Sequence, residues 1–196
     1  MPALHGLVVK NAGTAESVAA LLGRDVTEVE AALQGEAEAG RALSAKGTFM
    51  VTPSGRSWLD EQYPEVFATY RADPDVSEAA ERFERVNRDL LALLTDWQSM
   101  PAGGERVPND HSDAAYDRNI VDRLGDLHER ALKLVDRLAR PEPRLTVYGQ
   151  RLETAYDKVL AGEEDFVSGV RVDSYHIVWH ELHEDLLRML GRSRQE

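Results

Sequence analysis

Three histidines near the end of the sequence have the spacing of side chains that share one edge of a helix. His176, His180 and His183 stand at positions i, i+4 and i+7, which puts their imidazoles beside the apolar stripe of that helix. Neutral imidazoles bind Zn²⁺ and other borderline metals, and an Asp or Glu from a neighbouring helix can complete the ligand set. The alternative is structural, with histidines that bond to carbonyl groups or acids across a packed seam. The His-Glu-x-x-His spacing of zinc proteases is missing, so we predict no hydrolase.

Two further polar segments stand on either side of a predicted loop. Asp96 and Trp97 end one long helix, and Asp110 and His111 precede the next. Helix capping explains Asp110, because a carboxylate accepts hydrogen bonds from first-turn amides, and Trp97 suits a core position. The other interpretation is a ligand or metal site in which these four residues meet the terminal histidines. No spacing supports a catalytic triad or a phosphate-binding loop, so we assign no catalytic residue and predict no enzyme.

A third set of residues is of the types that contact nucleic acid. Gln34, on a predicted helix over residues 27–39, can read adenine, and Thr27 can contact a phosphate. Cations before and after this helix could hold the DNA backbone. The candidate DNA-binding residues are Arg24, Thr27, Gln34, Arg41, Lys46 and Arg56. Two acids in the first turn, Glu28 and Glu30, oppose phosphate, and no Lys or Arg lies between Val26 and Gly40.

Short predicted elements position these residues in the first 58 positions. Thr14 is an N-cap, and Thr27 with Glu30 reads as a capping box. The predicted order is a helix over 3–10, a helix over 14–22, a helix over 27–39, a strand over 41–43, a turn over 44–47 and a strand over 48–52. This is the order of a winged helix-turn-helix, an architecture that usually binds DNA.

Longer amphipathic segments follow. They predict a connector helix over 56–72 and long helices over about 77–98, 112–140, 145–160 and 172–190, with Ser77 capping the first long helix. Residues 100–108 read as a Gly/Pro loop, and 161–169 as a loop or a broken helix. The predicted fold is mainly α: an N-terminal winged helix-turn-helix with a small β-hairpin wing at 1–58, then a C-terminal helical bundle at 59–196.

The charge of the sequence is unevenly distributed. The net charge is −12 over 196 residues, which opposes bulk attraction to phosphate. Up to Trp58 there are five Lys/Arg against six Asp/Glu, so the head is nearly neutral and can approach DNA by itself. The sequence has no cysteine, which excludes disulfides and thiolate metal sites. Without a signal peptide or a long apolar run, we predict a cytoplasmic protein that does not enter a membrane.

The first third of the sequence resembles the winged-helix transcriptional regulators with a MarR-like head. The resemblance lies in residues 14–23 and 26–40, in Lys46-Gly47, and in Val51-Thr52-Pro53-Ser54-Gly55. The helical remainder resembles uncharacterised actinobacterial proteins that are labelled as such regulators. The resemblance implies DNA binding, a homodimer and a pocket for a small-molecule effector, although the additional helices here are all C-terminal.

Three functions from different classes follow. The first is a DNA-binding transcriptional regulator, whose helical bundle dimerises, senses a small ligand or does both, with double-stranded DNA as its partner. The second is a winged-helix module that binds a protein partner and no DNA. The third is a metal-binding protein or enzyme that holds a divalent cation at His176, His180 and His183; the first two need no cofactor.

Overall fold

The structure is a computed structural model that describes residues 1–193, and it is mainly helical with a small three-stranded antiparallel sheet. This class is as predicted. The described residues form two compact units: an N-terminal unit of Met1–Asp73 with residues 181–193, and a helical unit of Pro74–His180. The predicted domain ranges 1–58 and 59–196 stay a prediction, and residues 194–196 lie outside the described residues. Within residues 1–193, no helix has both the length and the apolar character needed to cross a membrane.

Helices α1 (Pro2–Lys10), α2 (Ala15–Leu22) and α3 (Val26–Glu38), with a two-residue strand β1 (Ala12–Gly13), open the N-terminal unit. Every residue of α1 from Ala3 to Val9 is buried. Thr14 caps α2 as predicted, because its hydroxyl accepts a hydrogen bond from the N–H of Ser17. Gly23 ends α2 in the left-handed conformation at φ 60°, which glycine adopts without strain.

The predicted cap of α3 is wrong by two residues. The carboxylate of Asp25 accepts hydrogen bonds from the N–H groups of Thr27 at 2.9 Å and Glu28 at 3.2 Å. Thr27 therefore lies inside the first turn of the helix, and no capping box forms with Glu30. The physical reason is that an aspartate at this position satisfies two first-turn amides and adds a negative charge at the positive end of the helix dipole.

Strands β2 (Ala42–Ala45) and β3 (Thr48–Val51) form a tight hairpin, and the sheet order is β1-β3-β2. Ala45 pairs with Thr48, so the turn contains only Lys46 and Gly47. Both have positive φ, 52° and 78°, as a two-residue type I′ turn requires. The predicted hairpin is present with a longer first strand, whereas β1 was missed because two residues carry no periodic signal.

The predicted connector helix over 56–72 is two helices, α4 (Pro53–Val66) and α5 (Ala68–Ala72). Pro53 occupies the first turn of α4, where its missing N–H costs nothing, and Thr52 caps this helix by accepting from the N–H of Gly55. Pro64 lies near the end of α4, and Phe67 separates the two helices.

Two long antiparallel helices dominate the helical unit: α6 (Pro74–Gln98) and α7 (Ala114–Ala139). Ion pairs along the two helices join Glu78 to Arg137, Asp89 to Arg130 and Asp96 to Arg123. The buried positions of both helices repeat at the predicted helical spacing. The prediction that Ser77 caps α6 is wrong, because the helix begins one turn earlier, at Pro74.

A β-hairpin replaces the loop that was predicted between these helices. Strands β4 (Ser99–Ala102) and β5 (Glu105–Pro108) pair antiparallel, with Ser99 opposite Pro108. Gly103 and Gly104 have φ values of 61° and 92° and form the turn. The loop prediction over 100–108 is therefore wrong: the two glycines mark a hairpin turn, and prolines are tolerated because neither strand is flanked on both sides.

The remaining helices are α8 (Thr146–Leu160), α9 (Asp165–Ser168) and α10 (Tyr175–Leu190), with a 3₁₀ turn at Pro143–Leu145 before α8. Residues 175–180 of α10 belong to the helical unit, where Trp179 stacks on Phe83 with ring centroids 4.5 Å apart. The indole N–H of Trp179 donates to the side-chain oxygen of Asn87 at 2.9 Å.

Residues 181–190 of α10 belong to the N-terminal unit and pack there against α1. Lys10 Nζ donates to Glu181 at 2.7 Å, and His5 Nε2 lies 2.9 Å from the carboxylate of Asp185. The guanidinium of Arg71 donates to the carbonyl oxygens of Met189 and Arg188 in the last turn of α10. The core of the N-terminal unit therefore includes residues from both ends of the sequence.

Candidate functional site

Helix α3 is exposed along most of its length. Of its 13 residues, only Val29, Leu33 and Glu36 are buried. Thr27 and Gln34, both candidate DNA-binding residues, are exposed, as are the acids Glu28 and Glu30. Its apolar positions recur only once per turn, which explains the narrow buried stripe. We call the exposed residues of α3, with Arg24 before it and the Lys46-Gly47 turn, the α3–hairpin surface.

Three of the four predicted phosphate-binding cations keep an uncompensated charge. Arg24 and Lys46 are exposed, and neither forms an ion pair or side-chain hydrogen bond within residues 1–193. Arg56 is half-buried and donates to the side-chain oxygen of Asn11 at 3.0 Å, a neutral partner that leaves its charge intact.

Arg41 differs from the prediction because it is paired within the protein. Its guanidinium lies 2.5 Å from a carboxylate oxygen of Glu36 and 4.7 Å from the ring centroid of Trp58. Glu36 is also 3.5 Å from the N-terminal ammonium group of Met1. An arginine that shares a mostly buried carboxylate and stacks on an indole is a structural residue, so we remove Arg41 from the candidate phosphate contacts.

Two acids near the start of α3 have no compensating cation. Glu28 and Glu30 form no ion pair within the described residues, and Glu30 takes no part in the cap. The carboxylate of Asp25 faces the amides of the first turn. Asp25 is therefore less available to an external partner than Glu28 and Glu30 are. The α3–hairpin surface therefore has three exposed acids on the helix, Glu28, Glu30 and Glu38, against two cations beside it, Arg24 and Lys46, which is a small negative excess.

An apolar pair lies on the outward face of the sheet in the same unit. Leu43 and Met50 are cross-strand neighbours, and their side chains are 62% and 51% exposed. Ala12 pairs with Met50 on the other side and is also exposed. A row of apolar side chains in contact with water favours a protein partner more than a phosphate backbone.

The predicted ligand residues of the helical unit form two separate polar clusters. The carboxylate of Asp96 accepts hydrogen bonds from Arg106 and Arg123, each at 2.9 Å. Burial raises the pKa of Asp96, but the two arginines together lower it below its ordinary value. The ring of His111 lies 4.5 Å from that of Trp97, and its Nδ1 is 3.0 Å from a carboxylate oxygen of Asp117.

The prediction that Asp110 caps the second long helix, α7, is wrong. Its carboxylate accepts from the backbone N–H and the hydroxyl of Ser112, and these bonds lower its pKa. The N-cap of α7 is Asp113, which accepts from the N–H groups of Ala115 and Tyr116 at 3.0 Å each. Asp110 therefore orders the loop before the helix.

The three histidines of α10 have different surroundings. His176 is half-buried, His180 is exposed and His183 is buried. Burial, with a smaller effect from His180, lowers the pKa of His176, which favours its neutral form. Among residues 1–193, no group of three or more His, Asp or Glu side chains could hold a metal ion. The predicted convergence of these histidines with Asp110 and His111 on a metal is therefore not found in the described part of the chain.

Sequence reasoning missed a row of cations in the helical unit. An open groove of about 630 Å³ runs between α6 and α7, and we call it the arginine groove. Its cations are Arg82, Arg85, Arg88, Arg130, Lys133 and Arg137. Their spacing of three or four residues on the polar faces of two predicted helices was visible in the sequence. Only the register between the helices shows that the two rows face one groove.

The chain matches no family model, no curated protein and no solved structure. The interpretation of its surfaces therefore depends on its own residues.

Proposed function

We propose that residues 1–58 form a winged helix-turn-helix and that the protein is a DNA-binding transcriptional regulator. The observation that carries this proposal is the order helix, strand, helix, helix, strand, strand, with β1 paired beside the hairpin. In such an arrangement the third helix enters the major groove and the hairpin contacts the flanking backbone.

The exposure of α3 supports the same proposal. A recognition helix must present most of its surface to the groove, and only three residues of α3 are buried. Gln34 could bond to an adenine edge, while Arg24, Lys46 and Arg56 could contact phosphates. Since Glu28 and Glu30 repel phosphate, we infer that the flanking cations supply most of the affinity.

We further propose that the protein acts as a homodimer and that its helical unit senses a small ligand. Dimeric helix-turn-helix proteins place their recognition helices about 34 Å apart, in successive turns of the major groove. Light scattering on the purified protein would test the dimer, and a monomer at micromolar concentration would contradict it.

Fluorescence anisotropy of the full chain with a labelled 30-base-pair duplex pool of random sequence tests DNA binding. We expect Arg24→Ala/Lys46→Ala to weaken binding and Glu28→Gln/Glu30→Gln to strengthen it. The matched control is Glu61→Gln/Glu65→Gln, which makes the same charge change at two exposed residues of α4. If the α3 pair and the control pair of glutamine substitutions change the affinity equally, the change in net charge alone explains the result, and a role for α3 is contradicted.

A second candidate function is a protein-binding module without DNA binding, and the exposed Leu43–Met50 pair favours it. Affinity purification from nuclease-treated native extract, comparing the wild type with Leu43→Ser/Met50→Ser, would test it. We expect a stoichiometric partner that the variant loses. A partner that both proteins retain, or that nuclease removes, would contradict this candidate.

A further inference from the structure

The arginine groove concentrates positive charge on a chain whose net charge is −12. Six cations line it, and Asp89 is the only acid among the described residues that line it. Three of the cations are paired: Arg130 with Asp89, and Arg82 and Arg137 with Glu78.

The other three cations of the groove have no internal partner. Arg85, Arg88 and Lys133 are exposed and form no ion pair or hydrogen bond within residues 1–193. Unpaired exposed cations are ordinary when they are scattered. Here they share one groove with three more, and like charges gathered in this way repel one another until an anion lies between them.

The shape of the groove distinguishes between anions. Val86 and Leu134 form its floor and are themselves almost fully buried, so the cationic side chains supply most of the surface that a ligand would contact. The cations are on long side chains along two helices, and all of them except the half-buried Arg137 are exposed. Arg82 to Arg88 spans about 9 Å of helix axis, which lies between the rise of two and of three phosphate steps on one DNA strand, about 7 and about 10 Å.

We propose that the arginine groove binds the phosphate backbone of a nucleic acid, as a contact additional to the α3–hairpin surface. Five of the six cations are arginines, whose planar guanidinium groups match phosphate oxygens in pairs. The choice of nucleic acid as the polyanion rests on the proposed function. The charge excess of the groove does not depend on it.

The test measures how the affinity of the full chain for the labelled 30-base-pair duplex pool depends on salt. The groove variant is Arg85→Ala/Arg88→Ala. The matched control is Arg118→Ala/Arg171→Ala, which removes two exposed, unpaired arginines of the same unit outside the groove. Each lost phosphate contact reduces the slope of log affinity against log salt by about one, so we expect a reduction of about two for the groove variant and less than half of that for the control.

The outcomes separate this proposal from the proposed function. A groove variant that behaves like its control overturns the groove proposal, and the Arg24→Ala/Lys46→Ala variant then decides the function of the α3–hairpin surface by itself. A loss in the groove variant with none in the Arg24→Ala/Lys46→Ala variant supports the groove and contradicts the proposed function. Binding of labelled poly-glutamate as tightly as the duplex would overturn nucleic acid as the occupant.

Discussion

His5 and Asp185 are 180 positions apart in the sequence, and their side chains meet at 2.9 Å inside the N-terminal unit. Both are almost completely buried. The ring atom of His5 that contacts the Asp185 carboxylate is Nε2. The other ring nitrogen, Nδ1, is 2.9 Å from the hydroxyl of Tyr63 on α4. One imidazole thus links α1, α4 and the end of α10.

The first prediction concerns this buried link. Asp185→Ala should lower the free energy of unfolding by about 3 kcal/mol, because removal of one partner leaves a buried polar group without its hydrogen bond. Urea denaturation measures it, with Asp60→Ala, an exposed residue of the same unit, as a control that should change stability by less than about 0.5 kcal/mol. Equal effects of the two variants would contradict the assignment.

The second prediction concerns two glycines of the N-terminal unit. A Cβ at Gly55 would lie 2.1 Å from the carbonyl oxygen of Arg41, which is backbone and cannot move cheaply. We expect Gly55→Ala to destabilise the protein by at least about 2 kcal/mol. Gly35 is inside α3 with open space around it, so Gly35→Ala should stabilise the helix by about 0.5–1 kcal/mol. Thermal unfolding of the two variants should give shifts of opposite sign, and shifts of the same sign would contradict the packing around Gly55.

The third prediction tests which residue caps α3. Asp25→Ala should cost about 1 kcal/mol of stability, since two amides of the first turn lose their acceptor. Thr27→Ala should cost less, because its hydroxyl has no capping role. Chemical denaturation measures the loss of stability in the two variants. A larger loss for Thr27→Ala than for Asp25→Ala would support Thr27 as the cap, as predicted from the sequence.

The fourth prediction concerns pH. Burial lowers the pKa of His128, although nearby carboxylates oppose the shift, and its ring stacks on Tyr156 with centroids 4.5 Å apart. The ordinary pKa of a histidine is 6.5. As the pH is lowered below this value, the unfolded chain binds a proton at His128 more readily than the folded chain does, so the free energy of unfolding should decrease.

The variant His128→Phe should flatten the dependence of the unfolding free energy on pH between about 7 and 5. His176 contributes in the same direction, so some dependence should remain. The control is Tyr156→Phe, which keeps His128 and should keep the wild-type slope. If His128→Phe leaves the slope unchanged, His128 is not held neutral in the folded protein.

The elements that the sequence predicts well are those whose signal is local. The stripes of α6 and α7 repeat over many turns, so the pattern outweighs any single residue. The β4–β5 hairpin was missed because Pro101 and Pro108 lie within its strands, and proline in a short segment argues against a strand. The caps of α3 and α6 were misplaced because several neighbouring residues can accept from the same amides.

The parts that depend on distant contacts could not be predicted. Nothing near His5 indicates that its partner is Asp185, and nothing near Arg85 indicates that Arg130 and Lys133 face it across a groove. The reverse holds for the histidines of α10. Their spacing on one helix was predicted correctly, but a metal site needs ligands from other elements, and no group of three or more such ligands forms within residues 1–193.

The burial of residues 181–190 in the N-terminal unit has a consequence during synthesis. The ribosome completes Met1–Asp73 more than a hundred residues before it makes the helix that covers His5. Until then, α1 lacks part of its covering and its imidazole lacks its carboxylate. The N-terminal unit therefore reaches its final packing only after translation has passed residue 190, and a ribosome stalled within the helical unit would carry an incomplete head that a chaperone or a protease could recognise.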